Sequence, residues 1–186
     1  MWWARLLNVI SGLLAGGVAA STNSYESIST VTVGAGGSAT VTFSSIPSTY
    51  KHLQIRCFGR VQFDGNLIMR LNNDTGANYS WHQVYGTGAV AGASSGASSS
   101  LIYLGSEVST ANIFGVSIVD ILDYADTNKY KTIRSLDGYD ANGSGVVDLA
   151  SGSWRSTSAV SSIQFTAASS GNFQQYSSFA LYGIKG

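Results

Sequence analysis

The sequence has little of what most solution chemistry requires. Its 186 residues include one cysteine, one proline and two histidines. A lone Cys57 excludes an internal disulfide framework, and within "LQIRCFGRV" it reads as core or strand surface rather than as a nucleophile. Only 11% of residues are charged, against roughly 25% in an average soluble protein. Ten basic residues balance ten acidic ones, so no net charge steers the chain to nucleic acid or to an anionic membrane. Scarce charge beside abundant Gly, Ser, Thr and Tyr points to a surface covered in assembly, or to one that takes neutral partners.

Helical periodicity is also missing from the body of the chain. After residue 24 apolar and polar residues alternate with a period of two, the signature of half-buried strands. "YESISTVTV" (25–33) and "SATVTFS" (38–44) flank the turn "GAGG" and read as a hairpin. Strands follow at 52–61, 66–71, 80–86, 100–105, 113–124, 129–139, 145–154, 160–166 and 177–184. "DYADTNKYK" is the clearest hairpin, because Asp and Asn tolerate the left-handed backbone its turn needs. "GTGAVAGASSGASSS" (86–100) buries too little to offset its ordering entropy and is expected to be a long mobile loop, unless a neighbouring subunit packs on it. The expected fold is all-β: a jelly-roll-like antiparallel sandwich of 10–11 strands over 25–186, joined by a linker (21–24) to a short apolar helix (1–20).

A catalyst needs an activated nucleophile, paired acids or a metal set. His52 and His82 lie far apart and share no ligand spacing with Cys57. "GASSG" (92–96) spells G-x-S-x-G, but without a strand before it and a helix after it. Asp120 and Asp148 sit among apolar residues and need partners; Arg134, Arg155 and Lys131 are the candidates. "DGYDANGSG" (137–145) is rich in oxygen ligands, yet its spacing is not that of an EF-hand calcium loop. Asn73, Asn78 and Asn142 open N-x-[ST] sequons, which matter only on a eukaryotic secretory route. The expectation is a non-enzyme with no cofactor and no metal. A sugar site would use aromatic faces beside amides and carboxylates; Trp81, His82 and Tyr85, with Asp64 and Asn66, supply them.

"MWWARLLNVISGLLAGGVAA" carries the remaining information. Its "VAA" before Ser21 fits a signal-peptide cleavage site. As a membrane span it is short and broken by Asn8, Ser11 and glycines. Trp2, Trp3, Leu6, Leu7, Ile10, Leu13 and Leu14 supply an apolar seam at three- and four-residue steps, suited to self-association or to a groove. Assembly is the favoured reading, without a membrane.

"VTFSSIPSTYKHLQIR", "LNNDTGANYSWHQVYG", "VDILDYADTNKYKTIRSLDGYDANGSG" and the closing "YSSFALYGIKG" resemble a family of small virion-associated proteins of tailed bacteriophages, described as tail-fibre or head-associated. The resemblance covers roughly residues 24–186. It implies a β-sandwich structural part on the outside of the virion, a decoration, cement or fibre-like protein. It carries over no catalytic residues. The partners then expected are other copies of the chain, with a trimer as the first guess, and other capsid or tail proteins of the particle. The alternative is a host-receptor or glycan-binding tip.

Overall fold

Alternation of buried and exposed residues along each strand sorts the body into two faces. In the computed structural model, which describes residues 24–168 and 170–186, all twelve elements are strands. They are β1 (Tyr25–Thr32), β2 (Thr40–Phe43), β3 (His52–Gly59), β4 (Gly65–Leu71), β5 (Tyr79–Gly86), β6 (Ala91–Ser99), β7 (Ile102–Glu107), β8 (Gly115–Leu122), β9 (Lys131–Asp140), β10 (Gly145–Trp154), β11 (Ile163–Ala167) and β12 (Ser178–Ile184). Eight form one antiparallel sheet in the order β1-β12-β3-β8-β9-β10-β5-β6, and four form a second in the order β2-β11-β4-β7. The predicted N-terminal helix and its apolar seam lie outside the described residues.

The two sheets bury one core between them. Val41, Phe43, Leu67, Met69, Leu71, Ile163 and Phe165 of the small sheet meet Leu53, Ile55, Val119, Ile121, Ile133, Phe179 and Leu181 of the large one. Phe165, Phe173 and Phe179 form an aromatic cluster, with ring centroids 5.5 and 4.9 Å apart along the chain of contacts, adding orientation to the area they bury. β8 and β9 pair antiparallel around the "ADTN" turn, as their sequence predicts.

Two expectations are corrected. β1 and β2 do not form a hairpin: β1 pairs with β12 in the large sheet and β2 with β11 in the small one. The glycines between them still turn the chain, Gly36 and Gly37 having φ of 96° and 76°, but the turn carries it from one sheet to the other. The second correction concerns 86–100. Most of this segment is β6, paired with β5 from Ala91 to Gly96 and again at Ser99. Its glycines are what make the pairing possible. Gly96 faces Trp81 and Gly92 faces Tyr85 across the strands, and a Cβ on either would stand about 2.5 Å from the ring it faces. The two rings lie over the bare backbone and supply the apolar contact that β6 lacks.

Lys131 shows how the β8–β9 turn is fixed. Its side chain is fully buried, and its ammonium donates to the carbonyls of Asp126, Lys129 and Thr157 at 2.5, 2.9 and 3.3 Å. Burial pushes its pKa down, opposed by the Asp126 carboxylate. Lys131→Met would leave these carbonyls without their donor. We expect it to cost about 3 kcal/mol, the upper end of the roughly 1.5–3 kcal/mol of hydrogen bonding to a charged group, read as a lower midpoint in chemical denaturation. An unchanged midpoint would mean that water replaces the ammonium freely.

Candidate functional site

Strands β3, β8, β9, β10 and β5 lie side by side, so their outward residues form rows across the large sheet. The register places Arg56, Ile118, Leu136, Leu149, Val84 and Ala93 in one row. On one side of it runs a polar row of Gln54, Asp120, Arg134, Ser151, His82 and Ser95. On the other side stand Phe58, Val116 and Val147. The apolar side chains of this face are between 37% and 63% exposed. Scattered apolar residues are ordinary on a surface, but a contiguous apolar face is the mark of an interaction site.

Polar groups frame this face. Asp120 accepts from Gln54 Nε2 at 2.9 Å and from Arg134 at 3.4 Å, so Arg134 is the partner that the sequence offered for Asp120. Arg56 lies over the rings of both Tyr25 and Tyr182, at 5.5 and 5.3 Å from their centroids, and each stacking contributes about 0.5–1 kcal/mol at an exposed site. A shallow groove of about 450 Å³ runs along the face between β5, β6 and β10, lined by Val84, Ala93 and Leu149, with His82 and Arg134 on its polar side.

The inner face of the same sheet holds an unusual polar set. Cys57, Ser117, Asp137, Asp148 and Tyr85 form a single row, so two carboxylates stand directly opposite on neighbouring strands, where like charges repel. Glu107 of β7 closes over them from the small sheet. Glu107, Asp137 and Asp148 are all at least 97% buried, with exposures of 3%, 3% and 0%. Asp148 is satisfied by Gln83 Nε2 at 2.7 Å and by the Ser106 amide at 2.9 Å. Among the described residues no cation reaches it, so neither Arg155 nor Lys131 is its partner. Among the described residues neither Glu107 Oε2 nor either Asp137 carboxylate oxygen has a donor in hydrogen-bonding geometry. Burial, reinforced by Asp137, pushes the Glu107 carboxyl up to about 8. Burial likewise raises Asp137 to about 6 against the pull of the Ser117 and Ser135 hydroxyls, with Asp148 adding to the rise. The Cys57 thiol is pushed up by burial and then by Glu107 and Asp137, the opposite of what a nucleophilic cysteine needs. Two glycines make room: a Cβ on Gly59 would meet Glu107 Oε2 at 3.0 Å, and one on Gly105 would meet Asp137 Cβ at 2.0 Å.

The chain matches no protein-family model, no curated protein and no solved structure.

The residues proposed as a sugar site are spread over three places. Trp81 and Tyr85 point to the inner side of β5, where Trp81 packs on Tyr103 with centroids 5.0 Å apart and both rings cover β6 glycines. His82 lies between them in sequence and faces the opposite side, in the outer groove. Asp64 accepts the Ser109 amide at 2.6 Å in the loop before β4, and Asn66 donates to the Leu104 carbonyl at 3.4 Å in the small sheet. The other singled-out residues are equally dispersed. His52 Nδ1 accepts the Asp123 amide at 3.0 Å. Asp123 sits between Lys51 and Lys129, 2.9 and 2.5 Å away, and these lysines hold its carboxyl near 2. In "DGYDANGSG" Asp137 points inward, while Asp140 Oδ1 accepts the Asn142 amide at 2.8 Å in the turn.

Glu107 was the residue the sequence did not bring forward. Its only signal is the pattern in "LIYLGSEV", where it falls among small and apolar residues. The outer rows were present in the sequence as the apolar "out" residues Val116, Ile118, Leu136, Val147 and Leu149. Their number exceeds what a wetted sheet face needs.

Proposed function

We propose that this protein is a structural component of a tailed-phage virion: an external decoration, cement or fibre-like appendage. In this reading the N-terminal segment attaches it to the particle, and its jelly-roll-like sandwich packs against other copies of the chain. The observation that carries the assembly role is the outer face of the eight-stranded sheet, apolar across five strands and framed by few charges. Chain crossings between the sheets at β1–β2, β2–β3, β3–β4 and β4–β5 fit a jelly-roll-like description. The resemblance of the "VDILDYADTNKYK" and "YSSFALYGIKG" segments to virion-associated proteins supplies the setting.

The test replaces two facing leucines by a complementary pair. Leu136→Lys with Leu149→Glu removes the apolar row, yet places opposite charges across β9 and β10, which supports the sheet. The full-length wild type is expected to scatter light as an oligomer, and the double variant as a smaller species with unchanged far-ultraviolet dichroism. Equal masses would remove the role of this face, and a reconstruction of the particle without density for the chain would remove the virion setting.

The outer groove favours a second reading, a receptor- or glycan-binding tip. Its apolar lining, with His82 and Arg134 on the polar side, forms a concave site with few convergent polar groups. Binding to a glycan array that is lost in Arg134→Ala would select it.

A further inference from the structure

Sheet edges attract foreign strands, and folded proteins blunt them with shortness, bulges or charge. Three of the four edges among the described residues are blunted in these ways. β2 is four residues long. β7 spans six, and its ladder with β4 shifts register between Asn66 and Ile68. β1 shifts register between Ser27 and Ser29, and it carries Glu26, paired to Lys185 at 2.9 Å. The fourth edge, β6, has none of these devices over its core. It runs nine residues as "AGASSGASS". No charged residue or proline occurs from Thr87 to Ser106. Its ladder with β5 is continuous from Ala91 to Gly96, the one shift lying beyond, between Tyr79 and Trp81 of the facing strand.

The strand is also poorly supported from within. Gly and Ala are weak strand formers, and six of its nine residues are exposed. Beneath it lie the Tyr85 and Trp81 rings rather than a strand of the small sheet. Ordering such a segment needs more than its own burial supplies.

We infer that β6 is a self-pairing edge, joining antiparallel to the β6 of a second copy of this chain, so that two large sheets become one. This rests on the assembly reading above and adds its geometry. A second copy fits for two reasons. An uncharged strand of Gly, Ala and Ser meets its own image in any antiparallel register without like charges or bulky side chains opposing. In addition, the outer row through Leu149, Val84 and Ala93 reaches the edge at β6, so pairing across it continues one apolar face over both copies. Strand addition of this kind draws its affinity from main-chain hydrogen bonds.

The experiment compares the full-length wild type with Ala93→Lys/Ser95→Lys, by light scattering and by hydrogen exchange of the peptide spanning 91–99. Both side chains are exposed, so the variant keeps its fold, while self-pairing would bring like charges together. In the wild type, exchange over 91–99 should slow by about tenfold or more as concentration rises through the association range. In the variant it should stay fast at every concentration. Exchange that is independent of concentration in the wild type overturns the inference, as does protection that persists in the lysine variant. Protection that appears only with a different virion protein also overturns it, by assigning the edge to another partner. If Leu136→Lys/Leu149→Glu loses oligomers while the β6 lysines do not, the assembly reading stands and the edge pairing falls.

Discussion

Glu107→Gln is expected to make the protein more stable at pH 8, by roughly 10–20 °C in melting temperature, and to flatten its pH profile. The reason lies in the proton that the fold forces Glu107 to keep. Its ordinary value near 4.5 rises to about 8 between the sheets, and that of Asp137 rises from 3.8 to about 6. A carboxyl raised by folding binds its proton more tightly in the native state than in the unfolded chain. Its contribution to stability is therefore full below its unfolded value and is lost as pH rises through the folded one. Each unit is worth about 1.4 kcal/mol, so Glu107 alone removes several kcal/mol between about pH 4.5 and 8. At one kcal/mol per roughly 2–4 °C for a domain of this size, wild-type melting should fall steadily over that interval. Asp123 works in the other direction but in a different window. Its carboxyl, held near 2 by Lys129 and Lys51, gives up its contribution only as pH falls below its ordinary value of 3.8. The wild type should thus be most stable near pH 4–5. An amide at 107 keeps the shape, carries no charge and removes the larger slope. A wild-type melting temperature that stays level from pH 5 to 8.5 would show that water reaches these carboxyls.

Gly105→Ala is expected to prevent folding or to cost at least about 4 kcal/mol, at the upper end of single-substitution effects. The added Cβ would lie 2.0 Å from Asp137 Cβ and 2.2 Å from its Cγ. Neither neighbour is the free end of a flexible chain, so β7 would have to lift from β9, and overpacking of this kind is seldom relieved locally. A companion variant separates this clash from any general intolerance at 105. In Gly105→Ala/Asp137→Gly the methyl enters the space left by the aspartate, and denaturant unfolding should recover much of the loss. A double variant no more stable than Gly105→Ala would mean that the contact is not what matters.

The sequence is legible where local chemistry decides and silent where distant partners do. Alternation in "GVSIVDIL" and "KTIRSLDGY" placed β8 and β9, and the Asp-rich turn joined them, because every residue needed lies within the segment. The same local signals point to a β1–β2 hairpin, since glycines mark a turn without saying which sheet the chain enters after it. The partner of β1 is β12, about 150 residues away. β6 failed for a related reason. Its own composition argues for a loop, and the rings that make it a strand belong to Trp81 and Tyr85 on β5. The acids divide in the same way. Asp120 and its partner Arg134 sit on adjacent strands of a legible hairpin, whereas Glu107 meets Asp137 only because the small sheet folds over the large one. The proposed sugar site was assembled from neighbours in sequence, and alternation on β5 sends His82 to one face and Trp81 and Tyr85 to the other.

The place of β12 sets a timetable for synthesis. It is the last of the twelve strands to emerge from a ribosome, yet it lies inside the large sheet between β1 and β3. Until it arrives, β1 has no neighbour, β3 has an open side, and Phe179 and Leu181 are missing from the core. The nascent chain must therefore hold its earlier strands unsealed and close around β12 only once that strand has been made. A chain cut short before residue 178 would be left with an open slot between β1 and β3, exposing backbone groups that β12 otherwise pairs.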